Sequence, residues 1–355
     1  MAVRQVRMWL TLGLATVLGA STVLGAWAGP GSPLQALVEA ARREGRVVMY
    51  DGTGGAVPTF EYATKLLQER YGIRGEYVVM RASEQRERVR VEVRTGRVLG
   101  DALGTGHTTT WGMKFEDASL ESFSDRVPSY RRVSPQVRLL MERMRVSGEI
   151  APTVLQIWGI LVNTNLVPPA EEPRSWMDLL DPKWRGRFIM DDPRALGGGF
   201  VFFSATLKQL GRRYHEALAA QRPILTRSIA DAANRVARGE VPMMAPFAVG
   251  LYARLADQGL PLKLILAREG APYVVHGISI PKGAPHPNAA VLLTELMLAE
   301  EVQLRFAEDY LVPVIPGVVR RAPERVRAVV GARLWDTTEP ERSAEWLRLA
   351  AEIYR

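Results

Sequence analysis

Gly197, Gly198 and Gly199 stand between a strand-like run, Arg187 to Met190, and an apolar helical run, Phe200 to Leu210. A strand, a glycine turn and a helix start make an anion-binding geometry. The first helical N–H groups have no intrahelical partner, the macrodipole is positive there, and glycine lets a ligand approach the backbone. Three stretches in the first half of the chain have related chemistry. Asp51, Thr53 and Gly54 follow the apolar run Arg46 to Tyr50 and offer a hydroxyl and backbone N–H groups. Arg81 and Ser83 follow Glu76 to Met80, and an arginine can pair an anion bidentately. Thr105, His107 and Thr108 follow a run around Asp101 to Leu103. Each has a plain structural alternative: a βα turn, a surface arginine, a histidine hydrogen-bonded within its own turn.

Catalytic patterns are missing from the sequence. It holds no G-x-S-x-G, H-E-x-x-H, P-loop or dinucleotide fingerprint. Asp191 and Asp192 are adjacent acids, but neighbours on an extended turn point different ways, and Pro193 marks that turn as structural. The chain has no cysteine, which excludes disulfides, thiolate metal sites, a cysteine nucleophile and a lipid-bearing cysteine.

The elements that must carry these residues alternate. Ser32-Pro33 starts a helix that Gly45 ends, and Arg46 to Tyr50 reads as a buried strand. Helix and strand then alternate through Glu76 to Met80 and a charged helix from Ser83 to Thr95. Thr153 to Val162 is the longest strand-like run, and a second unusual one is Tyr273 to Ile280. Strand, loop and helix in repetition predict an α/β fold with a mainly parallel sheet. At 355 residues and 47% hydrophobic, the chain has enough apolar material for one large or two medium domains. The formal net charge of +8 favours anionic partners. Nucleic acid is the weaker reading and is not expected as a partner, because the most basic stretch, Arg81 to Arg97, is interleaved with Glu84, Glu87 and Glu92 as a solvated helix face is. Arg4 and Arg7, the apolar run Met8 to Val23 and Ala26-Trp27-Ala28 have the layout of a cleavable secretory signal over residues 1–28. No later run is apolar enough to span a membrane, so stable membrane insertion is not expected.

Six stretches in order resemble one family. They are LVEAARREGRVVMYDGTGG (37–55), RTGRVLGDAL (94–103), WGILVNTNLV (158–167), SWMDLLDPKWRGRFIMDDPRALGGG (175–199), ARGEVPMM (237–244) and GISIPKGAPHPNAAVLLTELMLAEEVQ (277–303). The chain resembles the type 2 periplasmic solute-binding proteins of ABC importers, in particular the binders of ferric iron, thiamine, polyamines and phosphonates. The resemblance implies an α/β protein of two lobes with a cleft between them, joined by hinge strands at Thr153 to Ile160, Tyr273 to Gly277 and near Val312 to Val318. Lobe 1 would comprise 29–152 and 274–313, and lobe 2 would comprise 153–273 and 314–355. The partners implied are a small-molecule ligand and the importer's permease, with the protein itself a monomer free in the periplasm and carrying no cofactor.

On this reading Trp158 forms the pocket floor or packs within the crossing strand. Phe247 ends a second-lobe strand, and Tyr273 and His276 lie on the second crossing, where the family commonly places pocket residues. The iron-binding members use an adjacent tyrosine pair where this chain reads MMAPFAVGLY, with Tyr252 alone. The expected ligand is therefore an anionic or zwitterionic small molecule, with a ferric-iron carrier and a secreted enzyme as the alternatives.

Overall fold

The computed structural model describes residues 32–355 apart from 52–55, 257, 323–326, 328, 330–332 and 336–338. The expected signal, and Thr53 and Gly54, lie outside the described residues. Helix α1 (Pro33–Glu44) is capped by the Ser32 hydroxyl and ends at Gly45, whose positive φ of 72° suits glycine. Strand β1 (Arg46–Asp51), α2 (Val57–Tyr71), β2 (Arg74–Val79), α3 (Ala82–Thr95), β3 (Ala102–Gly106), α4 (His107–Phe115) and α5 (Pro135–Arg143) follow. The 13-residue β4 (Ala151–Asn163) is buried along its whole length. After it come β5 (Phe188–Asp191), α6 (Gly198–Ala220), β6 (Ile224–Thr226), α7 (Ile229–Ala237), β7 (Met243–Ala248), α8 (Val249–Ala256), β8 (Leu262–Ile265) and β9 (Ala271–Ser279). Helices α9 (Pro287–Met297) and α10 (Glu300–Glu308), β10 (Val312–Pro313), α11 (Pro316–Val319), β11 (Leu334–Trp335) and α12 (Ser343–Ile353) complete the order.

One sheet runs β2-β1-β3-β9-β4-β7-β5-β6. Its two ends are parallel and its middle antiparallel: β1 pairs β2 and β3 in parallel, β5 pairs β6 and β7 in parallel, and β9 and β4 run antiparallel between them. The first half of β4, to Ile157, lies against β9, and the second half, from Trp158, lies against β7 and β8. β9 pairs β3 through its C-terminal half, while its first residues, Ala271 and Pro272, pair β11. Both strands therefore cross from one packed body to another. Two large cores sit on either side of that crossing. One includes Val47, Met49, Phe60, Ile278, Leu293 and Phe306, and the other Trp176, Phe188, Phe202, Tyr214 and Trp346. Val314, Ile315 and Val318 belong to the first core, and Trp335 and Tyr354 to the second.

Several boundaries differ from the sequence reading. Gly104, Thr105 and Gly106 are strand and not loop, because bare backbone there lets Met49, Asp51 and Val274 press against β3: a Cβ on Gly104 would lie 2.6 Å from Met49 Cε, and one on Gly106 2.8 Å from Val274 Cγ1. Arg81, and not Ser83, is the N-cap of α3, with Glu84 Oε2 accepting from the Arg81 N–H at 3.1 Å. β7 runs on to Ala248, which takes Phe247, expected at the strand end, inside the strand together with Pro246. The helical stretch after Pro287 is two helices, parted at Leu298 and Ala299 where Glu300 and Glu301 open a new first turn.

Candidate functional site at the crossing strands

Trp158 stands where β4 passes from one body to the other. It packs with Ala248, the last residue of β7, with Val274 of β9, and with Val201 and Leu251. Residues two apart on a strand share a face, so Gln156 and Trp158 leave β4 on one side. Gln156 pairs Val274, and Trp158 pairs Ala248. On the first-body side, Gly106 abuts Val274 and begins α4 as its N-cap. On the second-body side, a Cβ on Gly198 would fall 2.6 Å from Trp158 Nε1 and 2.8 Å from Asp191 Oδ2. A continuous line of contact thus runs from Gly106 through Val274 and Trp158 to Gly198 and Asp191. Glycine at both ends brings backbone to the middle.

The charges along this line follow from burial. Burial is the main cause that pushes the Asp191 carboxyl up to about 7; the Gly199 N–H hydrogen bond opposes the rise and the neighbouring Asp192 adds to it. The Gly199 amide is thus held by the protein's own carboxylate. Asp192 is also buried, which raises its pKa, but hydrogen bonds from Arg194 (2.8 Å) and Arg227 (3.1 Å) outweigh that and hold it below the usual carboxylate range. The Arg194 N–H groups also donate to the Tyr354 carbonyl. The adjacent acids therefore differ: one is clamped by two arginines, and the other faces the junction.

The remaining predicted residues separate into those at this line and those away from it. Asp51 is fully buried at the end of β1, its Oδ1 lying 2.9 Å from the place a Gly104 Cβ would take. Thr105 is buried in β3, with its Oγ1 lacking a hydrogen-bond partner. His107, also buried, accepts the Val275 N–H at Nδ1 (3.0 Å), which fixes the ring to β9. Thr108 is half-buried in the first turn of α4. His276 and Tyr273 are half-buried on β9, and burial with His107 nearby holds His276 far below its usual pKa, hence neutral. Gly197 is exposed, Gly198 half-buried and Gly199 buried. Arg81 and Ser83 are exposed at the start of α3. Phe247 is a core residue, packed with Leu161, Ile189 and Val236, so Ala248 occupies the junction-facing place at that strand end. Gln156, Ala248 and Val274 were not singled out by the sequence reading, and Asp191 was read only as part of a structural turn. Gln156 had a signal: it is the one polar residue in the apolar run Val154 to Val162, two positions before a tryptophan.

Tyr252 donates its hydroxyl to the Leu262 carbonyl at 3.2 Å. Among the described residues no group of three His, Asp or Glu side chains is placed to hold a metal ion. None of the described helices is long and apolar enough to cross a membrane.

The model of the bacterial extracellular solute-binding protein family matches residues 129–332. The chain belongs to that family. Bacterial extracellular solute-binding proteins of this kind bind a small solute for an ABC importer. An uncharacterized protein of Haemophilus influenzae is 24% identical over 271 residues, 74% of this chain and 75% of its own length. The fold is shared with the periplasmic binding protein AfuA from Actinobacillus pleuropneumoniae, solved with exogenous fructose-6-phosphate bound. The TM-score is 0.73 at 22% identity, over 86% of this chain and 97% of that one. It is shared too with iron-bound HitA from Pseudomonas aeruginosa, at a TM-score of 0.69 and 20% identity, over 87% of this chain and 99% of that one. The architecture is the two-lobed periplasmic-binding-protein fold, and the solute-binding proteins that share it hold chemically different cargo.

Proposed function

We propose that this protein captures an anionic or zwitterionic small molecule in the periplasm and delivers it to an ABC permease as a monomer, without catalysis. Lobe 1 (29–152 and 274–313) closes on lobe 2 (153–273 and 314–355, of which Val314, Ile315 and Val318 pack in the first core), after a signal over 1–28 has been removed and with no lipid anchor. The observation that carries the reading is the contact line Gly106–Val274–Trp158–Gly198–Asp191, which draws on both bodies and on both crossing strands. A ligand lying on it touches both lobes at once, and a ligand drives closure only through contacts that the open form lacks. The basic net charge and the N-terminus of α4 beside Gly106 support an acidic group on the ligand.

Two measurements test this. A thermal-shift panel of phosphate esters, phosphonates, carboxylates, amino acids and ferric citrate should give stabilisation that grows with ligand concentration over Kd. Because the chain has no cysteine, a Glu87→Cys, Glu240→Cys double variant can carry two labels, one on each lobe, and their distance should shorten with the same compound. A panel that moves neither reading refutes the proposal. Stabilisation by ferric citrate alone, in a coloured protein, replaces it with an iron carrier.

A further inference from the structure

Residues 126–145 hold six arginines and a single acid, Glu142. The stretch packs as one layer on the first core, where Val127, Val133, Val137, Leu140 and Met144 are buried. The arginines are left on the outer side of that layer: Arg126, Arg131, Arg132, Arg143 and Arg145 are exposed and Arg138 is half-buried. In α3, by contrast, arginines are answered by acids, Arg86 by Asp117, Arg88 by Glu92 and Arg90 by Glu87. The partners in the layer are neutral. Arg126 donates to Asn288 Oδ1 (2.8 Å) and Arg138 to the Val133 carbonyl (3.1 Å), and the Arg145 guanidinium lies 4.9 Å from the centre of the Phe115 ring. Arg132 and Arg143 make no hydrogen bond or ion pair among the described residues. Like charges gathered this way repel one another, and one glutamate offsets little of that.

Two large apolar side chains stand among these cations with much of their surface in water: Leu139 is 47% exposed and Phe115 40%. Leu139 and Arg143 are four apart on α5 and share its outer side. Phe115 ends α4, with Lys114 as well as Arg145 over its ring. A single exposed apolar side chain is ordinary. Set within a cluster of cations, such side chains match a surface that has anionic headgroups outside and acyl chains just beneath. We propose that this layer rests on an anionic lipid surface, with the arginines on headgroup phosphates and Leu139 and Phe115 at the acyl boundary. The planar guanidinium fits a phosphate through two parallel N–H bonds. An acidic protein segment would pair the arginines but give the leucine and phenylalanine nothing to bury against. None of these residues belongs to the contact line through Trp158, so attachment leaves the junction of the lobes free and holds the protein at a membrane.

Vesicle flotation tests this with the chain from Gly29 onward, which contains every described residue. Vesicles of phosphatidylcholine are compared with vesicles of phosphatidylcholine and phosphatidylglycerol in equal parts. Binding should be to the second only and should weaken as salt is raised. Arg132→Glu with Arg143→Glu should lower the affinity at least tenfold. Arg185→Glu with Arg268→Glu makes the same change in net charge on exposed arginines of lobe 2 and should lower it no more than threefold. Leu139→Gln should weaken binding severalfold at unchanged charge. Melting curves establish that each variant is folded, and Arg132→Gln with Arg143→Gln carries the test if the charge reversal is not. Equal binding to both vesicles, equal loss in the two charge-reversed variants, or wild-type binding by folded Leu139→Gln overturns the proposal. If poly-glutamate binds tightly where the anionic vesicles do not, the partner is an acidic protein segment and the lipid surface falls. The solute panel has no part in this test, so its failure leaves the capture reading standing.

Discussion

Gly198 and Trp158 meet at the junction of the two lobes with no room for a methyl group: a Cβ on Gly198 would fall 2.6 Å from the indole nitrogen. The obstruction is the rigid ring of a buried tryptophan, and Asp191 Oδ2 closes the other side at 2.8 Å. Gly198→Ala must therefore displace either Trp158 or the first turn of α6. Overpacking of this kind costs about 1–3 kcal/mol. The expected outcome is a lower melting temperature together with ligand binding weakened at least tenfold. A variant with wild-type affinity would show that Gly198 is not at the binding surface.

Asp191 should leave a signature in the pH dependence of the ligand-free protein. Its carboxyl is raised to about 7 in the folded state, mainly by burial, whereas an unfolded aspartate titrates near 3.9. Between those values the folded state binds more protons, so its contribution to stability is full below about pH 3.9 and declines as pH rises toward 7. Each unit of that window corresponds to at most about 1.4 kcal/mol, reduced here because the group is partly hydrated. Asp191→Asn should remain as stable as wild type near pH 4 and exceed it at pH 8. Urea midpoints at the two pH values decide the matter, and equal differences between the proteins at both would sink it.

The same residue shows what the sequence could and could not convey. Asp191 and Asp192 read as one turn because they are adjacent and precede a proline. Only the structure separates them, since Arg194 and Arg227 converge on Asp192 from places 2 and 35 residues away. The crossing strands were legible because TVLQIWGILV is too long and too apolar for an edge, and β4 is indeed buried throughout. The glycines Gly104 and Gly106 misled for the opposite reason. Glycine is common in turns, yet these two serve tight packing within a strand, which depends on Met49, Asp51 and Val274, all remote in sequence or on other strands. The alternation of helix and strand is local and readable. Which side chains converge on Trp158 depends on strand order, and no local pattern encodes that.

Gly277 fixes how closely the crossing strands approach. A Cβ there would lie 2.4 Å from the Ala151 carbonyl oxygen, which is backbone and cannot swing aside. Gly277→Ala should force β9 and β4 apart where β9 also pairs Thr105. The expected result is a melting temperature lowered by several degrees, corresponding to about 1–3 kcal/mol, and a labelled-pair distance that no longer shortens fully with ligand. Unchanged closure in the folded variant would remove the crossing from any part in the hinge.

His215 gives a second pH dependence, opposite in sign. Its ring is buried beside the second core against Phe203, with Nε2 2.9 Å from Thr206 Oγ1 and Nδ1 2.8 Å from the Tyr354 hydroxyl. Thr206 donates its own hydroxyl to the Phe202 carbonyl, so it accepts from Nε2–H, and Nδ1 accepts from Tyr354. The neutral imidazole satisfies both contacts, whereas a protonated one would need Tyr354 to turn around. Burial pushes the pKa down to about 3, against 6.5 for an exposed histidine. Below pH 6.5 the unfolded chain takes up a proton that the folded state refuses. The stabilising contribution is therefore complete above about pH 6.5 and is lost progressively as pH falls toward 3, by at most about 1.4 kcal/mol per unit. His215→Phe removes the titration but leaves the buried Tyr354 hydroxyl without its acceptor, at a cost of about 1–3 kcal/mol at neutral pH. The variant should be the less stable protein at pH 7.5 and should close most of that gap by pH 4.5, as read from urea midpoints. Parallel curves across that range would show that His215 is not the group being titrated.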